Sequence, residues 1–176
     1  MTATAASSHL QAVIGYDSRK GTWLLRDPSR CHVQEAYAEQ LIAAQQRHGP
    51  RGMALVPVAR ADLMASIDLP DAEFYDFHHQ LQLCLVAHDR PGAWQASEQL
   101  GQLDPNHRLT LAARLSLARY DADPVTQLKW IDELLVRFPM DAGLVRGRVY
   151  CLRMLGRKAE RQAMLEELLA DGCDPI

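Results

Sequence analysis

A chain of 176 residues with 48% hydrophobic side chains and a formal net charge of -3 holds one ordinary domain, or a small domain followed by a short repeat array. That charge gives no global pull toward nucleic acid or an anionic membrane surface, both of which need a clustered positive excess. Four cysteines, at 31, 84, 151 and 173, show neither a CxxC nor a paired spacing, which argues against a zinc site or a disulfide framework and reads as reduced thiols in the cytoplasm. The opening Met-Thr-Ala-Thr-Ala-Ala-Ser-Ser is polar and small, without the basic start and apolar core of a signal peptide. No stretch approaches the roughly 18 to 20 continuous apolar residues of a membrane span. The expectation is a soluble intracellular chain.

From His9 to Asp17 the sequence reads as a strand, with Leu10, Ala12, Val13 and Ile14 leading into Gly15 and Tyr16. The polar run Asp17-Ser18-Arg19-Lys20-Gly21 is a turn ending on glycine, and Thr22-Trp23-Leu24-Leu25-Arg26 is a second strand, so the pair predicts a hairpin closed by Asp27-Pro28-Ser29. Val33, Tyr37, Leu41 and Ala44 then fall at helical spacing until Gly49-Pro50, and Met53–Val58 reads as a third strand. Residues 59–70 carry no clear period; Asp71 is placed to cap the helix beyond them.

A histidine opening a strand, followed by a hairpin whose second strand ends in Asp-Pro, resembles the C-terminal half of papain-like cysteine peptidases, and in particular the bacterial enzymes that cut bacteriocin leaders at double-glycine sites. The resemblance covers about residues 9–57. It implies His9 as a catalytic general base and Asp27 as the carboxylate that fixes its tautomer. In that family the nucleophilic cysteine precedes the histidine by a whole subdomain, whereas only eight small residues precede His9, and Cys31 follows Asp27 without the family's context. Two readings stay open: the nucleophile lies on a segment upstream, or the half-domain carries no chemistry and caps the helices after it.

The remainder of the chain is periodic. The breaks His88-Asp89-Arg90, Ala122-Asp123-Pro124 and Gly156-Arg157-Lys158 recur at a constant spacing of 34. Leu103-Asp104-Pro105-Asn106, Phe138-Pro139-Met140-Asp141 and Cys173-Asp174-Pro175 separate the units at spacings of 34 and 36. A unit of this size is a two-helix hairpin that buries its apolar face only by stacking on neighbours. The predicted helices run over 72–87 and 93–103, with Phe74, Phe77, Leu81, Cys84, Leu85, Trp94 and Leu100 apolar. The second pair uses Leu111, Leu115 and Ala118, then Val125, Leu128, Ile131, Leu134, Leu135 and Phe138. Leu144, Val145, Val149 and Leu152, then Ala159, Ala163, Met164 and Leu168, serve the third. All are expected to pack in the core.

The period and its punctuation resemble the tetratricopeptide repeat family, with closing prolines at Pro105 and Pro139, a small residue at Ala93 and an inter-helix glycine at Gly156. Most of the family's first-helix signature is absent, and Gln127 and Arg161 stand where a small residue is usual. The resemblance implies a groove lined by the first helix of each unit. Carried over, its peptide-binding positions are Tyr75, His78 and Gln82, then Ser116 and Arg119, then Arg146, Tyr150 and Arg153. Such arginines grip acidic side chains or a terminal carboxylate through charge-assisted hydrogen bonds.

The expected fold class is therefore α+β: a small antiparallel β-sheet half-domain with one helix over 1–60, then an all-α solenoid of about three helix-turn-helix repeats over 71–176. The expected function is a protein or peptide interaction module without cofactor, metal, nucleic acid or membrane. Its alternative is part of a cysteine peptidase completed from upstream. His78 and His79 lack a histidine at i+4, so no helical metal pair is expected there.

Overall fold

The structure, a computed structural model, describes residues 11–46, 56–139 and 141–170. It is α+β: a three-stranded antiparallel sheet comes first and a helical region after it. The described residues divide into two compact units, 11–46 with 162–170 and 56–161.

In the first unit, β1 (Ala12–Asp17) and β2 (Thr22–Arg26) form the predicted hairpin, with Tyr16 opposite Trp23 and their rings 5.3 Å apart. Its turn needs a left-handed residue, which Gly21 supplies at φ +67, donating its N–H to the Asp17 carbonyl at 2.8 Å. The expected helix from Val33 begins later. Residues Gln34–Tyr37 are β3, paired to β2 with Ala36 opposite Trp23, and α1 starts at Ala38 and runs to Gln46. β2 offers a free row of backbone groups on its far side, and pairing with it outweighs the helical spacing of Val33 and Tyr37. Lys20 and Thr22 add side-chain bonds to Glu35 at 2.9 and 3.4 Å.

Residues 53–55 of the expected third strand lie outside the described residues. Val56 and Pro57 carry no strand, and Val58 opens a 3-10 run to Ser66. Asp71 precedes the next helix without a side-chain cap; its carboxylate lies 3.7 Å from the His107 ring instead.

The second unit is built from helix hairpins. They are α2 (Ala72–Val86) with α3 (Arg90–Leu103), and α4 (Arg108–Tyr120) with α5 (Pro124–Arg137), followed by α6 (Ala142–Met154), which packs on α5. A further helix, α7, runs from Lys158 to Ala170, across the division between the units. The turns after α2, α4 and α6 share one geometry. His88, Ala122 and Gly156, which recur at the constant spacing of the sequence breaks, all have positive φ (59, 51 and 68). The residue after each donates its N–H five residues back, Asp89 to Cys84, Asp123 to Ala118 and Arg157 to Leu152, at 2.8 to 3.0 Å. This six-to-one bond closes the helix and satisfies a terminal carbonyl. The next helix is then started by aspartate: Asp89 accepts from Gly92, and Asp123 from Val125 and Thr126.

Leu81, Ala93, Ala96, Leu100, Ala113 and Leu117 form a buried cluster that joins α2, α3 and α4, with Phe74, Phe77, Cys84 and Leu85 packed around it. Gln127 occupies a buried position because its amide is satisfied, donating to the Ala118 carbonyl at 3.1 Å and accepting from the Cys151 thiol at 3.7 Å. Trp94, Val125, Ala159 and Ala163, expected in the core, are exposed. Each lies on the outer side of its helical stripe, where apolar character alone does not bring burial.

Candidate functional site

A helix turns 100° per residue, so positions 78, 82, 85 and 86 of α2 fall within an arc of roughly 100°. The positions one period on, in α4 and again in α6, make the same arc. Four rows then cross the three helices: His78, Ala112 and Arg146; Gln82, Ser116 and Tyr150; Leu85, Arg119 and Arg153; Val86, Tyr120 and Met154.

Contacts join the rows of α2 and α4. The Gln82 amide donates to the Ser116 hydroxyl at 3.3 Å, one period away. Arg119 on α4 reaches α6 at Gly147, where a Cβ would sit 3.5 Å from its Nη2, an ordinary contact, and a tighter 3.1 Å from the Ile131 side chain. On α6 the Arg153 guanidinium lies 5.4 Å above the Tyr150 ring. Tyr120 hydrogen-bonds through its hydroxyl with Nδ1 of His88, at 3.1 Å. Tyr75 departs from the pattern, because its counterpart Leu109 is buried. The Tyr75 hydroxyl accepts from Arg108, whose guanidinium also sits 5.5 Å over the ring. His78 is half-buried; burial lowers its pKa, and the charges of Arg108 and His79 add to the effect.

Over α4 and α6 the face is cationic because of what these two helices lack, whereas α2 carries Glu73 and Asp76 and no arginine. α4 and α6 carry three arginines each and no aspartate or glutamate. Among the described residues no carboxylate pairs with Arg108, Arg119, Arg146 or Arg153. Elsewhere Arg90 binds Asp121 through two bonds of 2.8 Å, Arg148 binds Asp132 at 2.6 Å and Arg157 binds Glu160, whereas Arg26, Arg30, Arg60, Arg137 and Arg161 have no carboxylate partner among the described residues either. Arg114 lies 5.0 Å over Trp130 and donates to the Pro105 carbonyl. A cleft of about 430 Å³ beside Val125, Leu128 and Leu155 offers little to a ligand, because its Asp132 and Arg157 are these same paired groups.

The structure therefore brings together Gln82 with Ser116 and Tyr150 with Arg153, and sets Arg119 against α6. Arg146 is exposed on the same arc, and Tyr75 and His78 gather at Arg108. Sequence reasoning missed Arg108 and the row Val86, Tyr120 and Met154. The constant spacing of the helix hairpins was the signal that identifies that row.

Of the other candidate pair, His9 lies outside the described residues. Asp27 is 2% exposed and firmly held: its carboxylate accepts from the Ser29 N–H at 2.8 Å, the Ser29 hydroxyl at 2.6 Å and the Gln11 amide at 2.9 Å. Among the described residues no three His, Cys, Asp or Glu side chains gather to hold a metal, and no helix is long and apolar enough to cross a membrane. No protein-family model, curated protein or solved structure matches this chain.

Proposed function

We propose that this protein is an interaction module whose tetratricopeptide-like helical repeats bind an acidic peptide segment on the face formed by α2, α4 and α6. The observation that carries the reading is that Arg119, Arg146 and Arg153 share one arc of α4 and α6, two helices that carry no aspartate or glutamate. A carboxylate ligand supplies the missing partner, and because these arginines are exposed each such pair contributes about 0.2–1 kcal/mol. Nucleic acid is a poorer fit: the chain's net charge of -3 opposes a polyanion beyond this one face. The free thiols Cys31, Cys84 and Cys151 agree with a reducing, cytoplasmic setting.

The test is fluorescence anisotropy with a labelled dodeca-glutamate peptide at 50 and 200 mM NaCl. The expected result is binding that weakens with salt and falls at least tenfold in the Arg119→Ala/Arg146→Ala/Arg153→Ala variant, with its circular dichroism unchanged. Equal binding by the triple variant overturns the reading.

A second reading is favoured by Asp27, a buried carboxylate held by Ser29 and Gln11 in the manner of an orienting group. It makes residues 11–46 part of a cysteine peptidase that cuts double-glycine leaders. Cleavage of a synthetic double-glycine leader peptide by protein purified from its source, lost on His9→Ala and Asp27→Ala, supports it. Cleavage that persists in His9→Ala sinks it.

A further inference from the structure

The face changes character along the array. The bond from Gln82 to Ser116 sets α2 beside α4, and Arg119 reaches Gly147 on α6, so the contacts run in the order α2, α4, α6. α4 and α6 carry arginines and no carboxylate, whereas α2 has no lysine or arginine and carries Glu73 and Asp76 instead. The row at the helix ends repeats the change at single positions: Leu85 on α2 stands where α4 has Arg119 and α6 has Arg153.

The end of α2 is apolar and open. Leu85 packs on the buried cluster, and Val86 beside it is 80% exposed. The cationic side chains that follow in sequence are committed: Arg90 is bound to Asp121, and the His88 ring to the Tyr120 hydroxyl. An acidic ligand residue placed there finds no guanidinium to pair with, and screening over about 10 Å at 0.1 M salt weakens its attraction to the arginines farther along the face. An apolar residue in the same place takes Val86 out of water, which is favourable.

We infer that the ligand is a bipartite peptide that lies one way round on the array. Its acidic segment crosses α4 and α6 at Arg119, Arg146 and Arg153, and an apolar residue at one end of that segment seats on Val86. This rests on the acidic-peptide reading and adds the order of the ligand's side chains and the helix on which each end lies. Charge complementarity selects this occupant: carboxylates are matched on α4 and α6 and unmatched on α2.

The test uses three labelled nonapeptides of one composition, six glutamates and three leucines, with the leucines together at the N-terminus, together at the C-terminus, or at every third position. Both block orders are included because side-chain contacts fix which end lies on α2 and not the direction of the peptide backbone. By anisotropy at 50 mM NaCl, the better block peptide is expected to bind about fivefold tighter than the distributed one. A nitroxide joined by a thioether to its leucine end should broaden the amide resonances of Ala72–Val86 more than those of Ala142–Met154, and one on its glutamate end should do the reverse. Val86→Arg gives α2 the cation it lacks, at an exposed position where a helix C-terminus favours positive charge. In that variant the block peptide's advantage should vanish and dodeca-glutamate should bind more tightly than to the native chain. Equal binding of block and distributed peptides, broadening that does not depend on which end is labelled, or an advantage that survives Val86→Arg overturns the inference, while arginine-dependent binding of dodeca-glutamate keeps the broader reading alive. A native chain that does not bind dodeca-glutamate overturns both. Concentration-dependent self-association that Val86→Arg abolishes makes a second copy the occupant of the α2 end and overturns the inference as well.

Discussion

The amide of Gln82 donates to the hydroxyl of Ser116, 3.3 Å away and 34 residues along the chain, so α2 and α4 are tied at equivalent positions of successive hairpins. The Ser116 hydroxyl in turn donates to the Ala112 carbonyl at 2.9 Å. Ser116 thus sits at the middle of the face, one turn before Arg119.

Ser116→Asp places a carboxylate there. It competes for Arg119 from within the helix and repels an incoming anion at a separation where unit charges interact by about 1 kcal/mol or more near a protein surface. The expected outcome is about tenfold weaker binding of dodeca-glutamate by anisotropy, since about 1.4 kcal/mol corresponds to tenfold. Ser116→Ala is the control. It removes the acceptor of Gln82 at a cost of about 0.5–1.5 kcal/mol in stability and leaves peptide affinity within a factor of two or three.

The three left-handed turn residues allow a direct test of backbone strain. At Gly156 a Cβ would meet nothing within 4 Å, so Gly156→Ala introduces only the conformational penalty of φ +68, about 1–2 kcal/mol. Ala122, at φ 51, already carries that penalty. Ala122→Gly relieves it and adds roughly 0.5–1 kcal/mol of chain entropy loss, for a net gain of about 0–1.5 kcal/mol. Urea midpoints of the two variants should move in opposite directions. A destabilised Ala122→Gly protein contradicts the strain argument.

These turns were legible in the sequence because residues with distinct backbone chemistry mark them: aspartate after the turn, proline at the start of α5, glycine at 156. β3 was not. Its half-buried side chains, Gln34 and Ala36, are polar and small, and the large apolar Tyr37 is exposed, so residues 34–37 show no strong strand alternation and owe their conformation to the neighbouring β2. The face divides in the same way. Helical spacing and the constant repeat period place Gln82, Ser116 and Tyr150 in one row, but the pairing state of an arginine depends on tertiary neighbours. Arg146 and Arg148, two residues apart on α6, read alike in sequence, yet only Arg148 finds Asp132.

His78 gives the site a pH dependence with a definite sign. Burial lowers its pKa, and Arg108 and His79 contribute. The unfolded chain therefore takes up the proton first, and the stability that the neutral imidazole contributes is fully present above about pH 6.5 and lost as pH falls through the folded value. Thermal unfolding between pH 7.5 and 5.5 should show a decline that His78→Gln diminishes. An anionic peptide beside Arg108 offsets the cationic field and raises the His78 pKa, so dodeca-glutamate should bind more tightly as pH falls over the same range. His78→Gln should flatten that trend; an unchanged trend places the proton elsewhere.

The junction of α3 and α4 depends on a single buried hydroxyl. Thr110 is fully buried, and its Oγ1 lies 3.1 Å from the Leu100 carbonyl and 2.8 Å from that of Asp104, the two oxygens at the end of α3. Each carbonyl also accepts one backbone bond of 3.2 Å, Leu100 from the Asp104 N–H and Asp104 from the His107 N–H, so the hydroxyl supplies their second donor. Thr110→Val preserves the side chain's shape and removes that donor. The cost should be about 1 kcal/mol, the ordinary figure for one hydrogen bond, because the single hydroxyl proton is shared between the two oxygens and each keeps its backbone donor. Thr110→Ser keeps the donor and deletes one methyl, a loss of about 0.8 kcal/mol of burial. If satisfaction of the α3 terminus dominates, the valine variant has the lower urea midpoint; if packing dominates, the order reverses.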